Sequence, residues 1–475
     1  MLLLRVLASL ALFALLASCA TNPVTGDSNF VLMSEAQEMD VGRSADQDVK
    51  KQYALYDENS LAAYVNEVGQ RLAALSHRPG LAYRFTLLDS TEINAFALPG
   101  GYIYITRGIV AFLNSEAELA AVLGHEIGHV TARHSVRQMS AAQSTDILIS
   151  LASILSPALR NQNVMNITGT LGNVLLSGYG REHELEADRL GAEYLARTGY
   201  DPQAMIRVIG VLKNQELFDA EAAKQEGRPP RAYHGVFDTH PDNDTRLQQT
   251  ISASSSLRAG ARGDGRADFL ARSAGMIFGD SPREGIVRSG SFYHPDLGIA
   301  LTLPGDWRVH NLPDRLVLLA PGGDTRLEVR MQPRPNGEPV AVLRANKQIG
   351  NDIETTPVNG LPAAAATGRA AAAGVVYFGD NMMIFNAVAK SGTLTEAHAR
   401  AVRDTIRGFH RITDKERELA KPLRIRTISA SATTRFAELA ANSPLGRNAE
   451  GTLRLINGIY PTGEARPGQL LKVIE

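Results

Sequence analysis

The chain has 475 residues, 44% of them hydrophobic, which at about 150 residues per domain predicts roughly three domains and more than one core. Its 49 basic and 50 acidic residues leave a net charge of -1, which argues against a protein that coats nucleic acid. The single cysteine, Cys19, excludes an intrachain disulfide, a zinc ribbon built from thiolates and an iron–sulfur cluster.

Residues 1–18 have the layout of a secretory signal peptide. Arg5 precedes an apolar run that is shorter than the roughly 20 residues of a membrane-spanning helix. The Leu-Ala-Ser-Cys sequence that ends at Cys19 resembles a bacterial lipobox, which implies that Cys19 carries the lipid anchor. Because Ala20 is not an aspartate, the lipoprotein analogy favours the outer membrane and the periplasm. The alternative is a cleaved signal in which the cysteine is incidental.

The next segments alternate between helical and strand patterns. Ser34 and Gln37 form a capping box that opens a helix, and helical rhythm returns over 61–75. Clusters of apolar and β-branched residues predict two strands, 83–88 and 102–106. The pattern then becomes mostly helical, so we expect a helical domain with a small sheet.

An HExxH motif occupies residues 125–129 on a predicted helix, and Ser115 with Glu118 predicts a capping box at the start of that helix. Residues four apart on a helix share a face about 6 Å along its axis, so His125 and His129 can bind one metal ion. Glu126 follows the first histidine and points beside the metal, where it can act as a general base. The alternative is a helix with two histidines on a polar face.

A catalytic zinc ion usually has three protein ligands and an open position for water. The metzincin extension would place a third histidine at position 135, but that residue is Ser135. On a helical wheel for the later helix, Glu184 falls within the apolar arc and Asp188 at its margin. A buried carboxylate needs a partner, so Glu184 is the preferred third ligand and His183 its rival. The opposite, polar side carries Glu182, Glu186, Arg189 and Glu193.

Four motifs in this order resemble the gluzincin metallopeptidases of the HtpX and CAAX-prenyl-protease type, peptidase family M48. They are the segment Asn94–Gly108, the HExxH motif, the Glu-x-x-x-Asp that begins at Glu184, and the Thr-His-Pro around His240 with Arg246 after it. The similarity covers roughly residues 22–250. Within the protease domain it extends to the BepA-like periplasmic members, although this chain lacks an obvious tetratricopeptide tail.

The resemblance implies one zinc ion per chain, held by His125, His129 and Glu184. It implies that Glu126 is the general base of peptide hydrolysis. Asp188 would accept a hydrogen bond from a ligand histidine and fix its tautomer. The alternative for Asp188 is an ordinary carboxylate on the flank of the helix.

Two further roles follow from the resemblance. His240 would lie close to the metal, where it would either assist catalysis by donating to the oxyanion or occupy the open zinc position in a resting enzyme. The alternative is a histidine that stabilises a turn before proline. Asn94, Ala95 and Phe96 would form a substrate-binding edge strand, to which an unfolded chain adds by backbone pairing.

The carboxy-terminal half is less explicit. Residues 285–412 mix strand signals with a helix near 395–409 and disclose no role. Residues 420–475 follow a strand–helix–helix–strand order that resembles a LysM domain, which implies contact with peptidoglycan. A purely structural tail is the alternative.

The sequence thus predicts an α+β multidomain protein with a mainly helical gluzincin domain, an α+β domain and a small LysM-like unit. The expected function is that of a lipid-anchored periplasmic zinc endopeptidase that degrades unfolded or misassembled envelope proteins. A chaperone-like or peptidoglycan-binding scaffold with little proteolysis is the alternative, and no nucleic-acid partner is expected. The predicted divisions are a signal peptide at 1–18, a metallopeptidase domain with its tether at 19–255, a linker at 256–284, and domains at 285–412 and 420–475.

Overall fold

A computed structural model describes residues 19–26, 28–31, 33–141, 179–225, 246, 257, 260–312, 314–345, 349 and 352–475. The chain forms two compact units, one of Met1–Phe278 with Arg424–Glu475 and one of Gly279–Leu423. Helices and several sheets occur together, which confirms the α+β multidomain class. Within the described residues, no helix has both the length and the apolar character needed to span a membrane. The predicted signal peptide lies outside those residues.

The first unit opens with paired short strands and two helices, followed by a small sheet. The elements are β1 (Cys19–Thr21), β2 (Ser28–Phe30), α1 (Glu35–Gln52), α2 (Asn59–Ala73), β3 (Arg84–Leu88), β4 (Ala95–Leu98) and β5 (Tyr102–Thr106). Ser34 and Gln37 form the predicted capping box at the start of α1. The sheet order is β3-β5-β4, with β3 parallel and β4 antiparallel to the central strand, so β4 is an edge strand.

Four helices form the centre of this unit. They are α3 (Arg107–Phe112), α4 (Glu116–Thr131), α5 (Arg181–Arg197) and α6 (Gln203–Gln225). Every residue of α4 is buried. The Ser115 side chain caps α4 by accepting from the Glu118 backbone N–H at 3.2 Å. The Glu118 carboxylate accepts instead from the backbone N–H of Asn114 at 2.7 Å, so only half of the expected capping box forms.

Glycines allow α4 and α5 to pack in close contact. A Cβ on Gly128 would lie 3.0 Å from the Ala187 carbonyl oxygen, and one on Gly191 would lie 3.0 Å from the His125 backbone nitrogen. A larger side chain at either position would push the helices apart. Their close approach brings side chains of α4 within reach of side chains of α5.

The predicted linker at 256–284 contains helix α7 (Arg266–Ser273) and strand β6 (Ile277–Phe278). Phe269 and Leu270 on α7 are fully buried, so this stretch contributes to the core of the first unit. The Ser/Gly/Arg-rich stretch of the sequence, residues 252–265, ends just before α7.

The carboxy-terminal segment has the expected strand–helix–helix–strand order. Its elements are β18 (Leu423–Ser429), α11 (Phe436–Ala441), α12 (Ala449–Ile456) and β19 (Leu470–Ile474). Lys472 on β19 is 1% exposed, and its Nζ donates to the carbonyls of Ala111 and Leu113 at 2.5 and 2.7 Å. Burial lowers the pKa of Lys472 to about 7. Residues after 424 therefore share a compact unit with the HExxH helix.

The second unit is built on two antiparallel sheets. The strands are β7 (Ile286–Arg288), β8 (Ser291–His294), β9 (Ile299–Thr302), β10 (Arg308–Leu312), β11 (Arg315–Leu319), β12 (Thr325–Pro333), β13 (Ile353–Glu354), β14 (Ala363–Thr367), β15 (Ala371–Phe378), β16 (Asn381–Ala389) and β17 (His410–Arg411). A seven-stranded sheet has the order β10-β11-β12-β16-β15-β14-β13, and a four-stranded sheet has the order β17-β9-β8-β7. The helices are α8 (Pro339–Arg344), α9 (Glu396–Arg407), at the predicted position, and α10 (Asp414–Leu419). Phe385 and Phe409 are fully buried in its core.

Candidate metal centre

Two histidines of α4 and one glutamate of α5 turn their donor atoms towards one point. The ligand atoms of His125, His129 and Glu184 all lie within 4.8 Å of one another. The two histidine Nε2 atoms are 3.0 Å apart, and the Glu184 oxygens lie 3.5 Å from the first and 3.4 Å from the second. All three residues are buried. Two imidazole nitrogens and a carboxylate that face one point are the donor set of a catalytic metal with three protein ligands.

Glu126 borders a small cavity beside these donors. The cavity has a volume of about 30 Å³, which is enough for one water molecule. His125 and Ala95 line the same cavity, so it lies between the HExxH helix and the edge strand β4. Its apolar wall consists of Ile109, Ala121, Val122, Met205, Val208, Ile209 and Leu212. A carboxylate, a cluster of metal ligands and space for water thus meet at one place.

Asp188 lies behind the first ligand histidine. Its Oδ1 is 2.8 Å from His125 Nδ1, and its two oxygens accept from Arg246 at 2.7 and 2.8 Å. Burial alone raises the pKa of Asp188, but the Arg246 guanidinium and His125 hold it well below its usual range. An ionised Asp188 can only accept, so His125 carries its hydrogen on Nδ1 and presents the Nε2 lone pair to the ligand cluster. Arg246 also lies 3.3 Å from Glu184.

A second imidazole lies behind the other ligand histidine. His134 is 0% exposed, and its Nδ1 lies 2.9 Å from His129 Nδ1. Its Nε2 lies 3.1 Å from a Glu186 oxygen, to which Arg137 donates at 3.0 Å. Burial raises the pKa of Glu186, but His134 and the Arg137 guanidinium together lower it to about 2.

The placement of Glu186 on an outer, polar side of α5 was wrong. Its side chain is 18% exposed and contacts His134 and Arg137. The helical wheel considers only α5, whereas the segment after α4 covers that side. The chain turns at Arg133, whose φ of 55° lies in the left-handed region, and the next residue, His134, contacts His129.

His183 and Tyr179 lie around the same imidazoles. The His183 ring stacks on His134 with centroids 4.3 Å apart, and His183 is not one of the three residues whose donor atoms converge. Tyr179 stacks on His129 with centroids 4.0 Å apart, and its hydroxyl is 2.7 Å from the Ser135 hydroxyl. The sequence analysis identified no role for Tyr179, because an aromatic residue before a helix carries no ligand signal of its own.

Residues 59–253 match Peptidase family M48. These residues therefore form an M48-like region of the chain. The matched range contains the three convergent residues, Glu126 and Arg246. The M48 family is one of metallopeptidases, which use a catalytic metal, and the donor set described above agrees with this resemblance.

Curated peptidases are also similar to this chain. The chain is 32% identical over 247 residues to the Beta-barrel assembly-enhancing protease of Escherichia coli strain K12, a match that covers 51% of this chain and 48% of the relative. It is 32% identical over 161 residues to the Mitochondrial metalloendopeptidase OMA1 of Arabidopsis thaliana, covering 33% of this chain and 32% of the relative. The chain therefore spans about half the length of the bacterial relative.

The segment before the HExxH helix places the edge strand β4 beside the cavity. Asn94 directly precedes β4, and its backbone N–H donates to Thr106 at 3.2 Å. Ala95 is buried at the cavity, and Phe96 stacks on Tyr104 with centroids 4.9 Å apart. Within the described part of the chain, β4 pairs with β5 alone, so its other edge makes no strand pairing there.

Two of the expected functional residues remain to be placed. His240 lies outside the described residues. Cys19 is the first residue of β1, which pairs with β2 through the register Cys19 to Phe30.

Proposed function

We propose that this protein is a zinc-dependent endopeptidase that hydrolyses peptide bonds in unfolded or misassembled envelope proteins. The single observation that carries the proposal is the convergence of His125, His129 and Glu184 beside a water-sized cavity that Glu126 borders. Zinc is the proposed metal because two imidazoles and one carboxylate, with a fourth position left for water, are its usual catalytic ligands.

Each residue of the site would have a separate role in peptide-bond hydrolysis. Zinc held by His125, His129 and Glu184 would supply Lewis acidity at the scissile carbonyl and at water, whose pKa falls to about 7 at such sites. Glu126 takes a proton from the attacking water and delivers it to the leaving amine. Asp188 keeps His125 in the tautomer that can bind the metal, since its ionised oxygens accept the Nδ1 hydrogen. His240 is proposed to assist at the oxyanion or to close the open metal position.

The proposed substrate lies along the edge of β4. An extended chain would add to Ala95 and Phe96 through backbone hydrogen bonds, with its scissile bond close to Glu126. Backbone pairing of this kind is largely indifferent to side chains and requires a chain that is already unfolded. The bacterial relative is named an assembly-enhancing protease, which supports substrates among envelope proteins that have failed to assemble.

The proposed location is the periplasmic face of the outer membrane, with Cys19 as the lipid anchor. The lipobox-like sequence supports this proposal, because two acyl chains give stable anchoring without a spanning helix. For residues 420–475 we propose a LysM-like unit that contacts peptidoglycan, supported by its strand–helix–helix–strand order. Residues 19–255 would then be the peptidase domain and 285–412 a further α+β domain.

Glu126→Gln tests the proposed reaction. The amide cannot take a proton from water, so we expect the variant to bind one zinc ion per chain and to lose casein hydrolysis by at least about 100-fold. Zinc content would be measured by atomic absorption. Casein hydrolysis would be measured with and without a chelator. Glu182→Gln, on the exposed start of α5, is the matched control and should behave as the wild type.

Three outcomes of that experiment separate the alternatives. Full hydrolysis by Glu126→Gln would exclude Glu126 as the base. A wild type that binds no zinc would contradict the metallopeptidase proposal itself. A wild type that binds zinc, prevents aggregation of an unfolded protein and never cuts it would support the chaperone-like alternative.

A further inference from the structure

The two Nδ1 atoms of His129 and His134 are 2.9 Å apart, which is a hydrogen-bond distance. A hydrogen bond between two imidazole nitrogens requires that one carry a hydrogen and that the other offer a lone pair. The identity of the donor decides which nitrogen of His129 is left for a metal. This contact therefore bears directly on the ligand cluster.

Glu186 decides the direction. The same Glu186 oxygen accepts from Arg137 at 3.0 Å, so it serves as an acceptor, and the 3.1 Å contact requires a hydrogen on His134 Nε2. A neutral His134 then has its lone pair on Nδ1 and accepts from His129. His129 consequently carries its hydrogen on Nδ1 and keeps its Nε2 lone pair, which points towards His125 and Glu184.

We propose that His134 is a positioning residue for the metal, which links Glu186 to His129 through a chain of two hydrogen bonds and holds His129 in the metal-binding tautomer. This inference rests on the proposed metallopeptidase function. It assigns to His134 and Glu186 together the task that Asp188 performs alone for His125. Outer partners of this kind typically raise metal affinity by about 10–100-fold.

The surroundings of His134 support a fixed ring. His134 is 0% exposed, and His183 stacks on it at an interplanar angle of 17°. Arg137 holds the accepting oxygen of Glu186 at 3.0 Å. Tyr179 stacks on His129 at an interplanar angle of 19°. This stacking and the Nδ1 contact with His134 together fix the orientation of the His129 ring.

Two substitutions of His134 separate the acceptor at Nδ1 from the contact with Glu186. His134→Gln can reach Glu186 with its terminal amide but places no acceptor at the position of Nδ1. His134→Asn keeps an amide oxygen near the position of Nδ1 and loses the reach to Glu186. His410→Gln is the matched control, because His410 in the second unit makes a similar 2.9 Å contact with Glu416.

The first readout is zinc affinity, measured on the full chain by competition with a fluorescent chelator. We expect zinc binding to weaken by about 10–100-fold in His134→Gln, less in His134→Asn, and not at all in His410→Gln. Thermal unfolding of the metal-free forms would show that each variant folds. Equal zinc affinity of the wild type and His134→Gln would overturn the proposal, whereas a wild type without zinc binding would overturn the proposed function instead.

The second readout needs no folded variant. Nitrogen NMR of histidine-labelled wild type separates the two tautomers by their ring shifts, and the chain has only 11 histidines to assign. We expect the zinc-loaded protein to carry the hydrogen of His134 on Nε2 and that of His129 on Nδ1. A hydrogen on His134 Nδ1 would reverse the bond and overturn the proposal even if every variant failed to fold.

Discussion

The two ligand histidines of the metal centre are supported in different ways. His125 contacts a carboxylate directly, since Asp188 lies 2.8 Å from its Nδ1. His129 contacts an imidazole, and the carboxylate of Glu186 comes one residue further out. A direct carboxylate and one that acts through a second ring can select the same tautomer, but they place the negative charge at different distances from the metal.

The charge pairs behind the two ligand histidines, which we call the His125 side and the His129 side, also differ in burial. The side chains of Asp188 and its partner Arg246 are 2% and 4% exposed, whereas those of Glu186 and Arg137 are 18% and 26% exposed. Charge pairs partly open to water interact more weakly, because solvent screens them. The charged support of His125 is therefore direct and shielded from water, whereas that of His129 is indirect and partly exposed.

The largest effect should come from the ligand that both sides share. We expect Glu184→Ala to lose stoichiometric zinc, with affinity reduced by more than the roughly 100-fold typical of an outer partner. Zinc content after dialysis checks this expectation, and Glu182→Ala on the same helix is the control. If Glu184→Ala kept one tightly bound zinc ion, the two sides would not converge on a common metal.

Asp188→Asn should come next. Removing one charge from a buried pair leaves the Arg246 guanidinium poorly compensated, so we expect a loss of about 3–5 kcal/mol in the free energy of unfolding of the metal-free protein. Zinc affinity should also fall by about 10–100-fold. Urea unfolding and chelator competition measure the two effects separately. A variant with unchanged stability would show that the Asp188–Arg246 pair contributes nothing net.

Glu186→Gln should have the smallest effect, about 1 kcal/mol in the free energy of unfolding of the metal-free protein. The pKa of Glu186 falls from 4.5 to about 2 on folding, so its contribution is present above pH 4.5 and is lost as the pH falls towards 2. The difference between wild type and Glu186→Gln should therefore be constant from pH 7 to about 5 and shrink below that. A larger loss than in Asp188→Asn would reverse the ranking of the two sides.

Much of the site could be predicted because it depends on spacing within single helices. The four-residue interval between His125 and His129 puts both on one helix face, and the apolar arc of α5 predicts that Glu184 turns inward. Asp188 follows Glu184 by one turn, so its position beside the same cluster has the same origin. These inferences use only the helical period, which tertiary contacts leave intact.

The rest depended on how separate segments meet. His134 lies beyond the end of α4, after a left-handed residue at Arg133, and no periodicity connects it with Glu186 on α5. Lys472 donates to the Ala111 carbonyl across 361 residues, a contact that no local pattern signals.

The identity of the metal-ligand residues and the helices that carry them follow from the amino-acid sequence alone. The groups that support each ligand from behind, and the distant segments that share the first compact unit, emerge only from the folded chain. The physical reason is that a helix face follows from local backbone geometry, whereas a hydrogen bond between segments depends on turns and packing that the whole chain settles together.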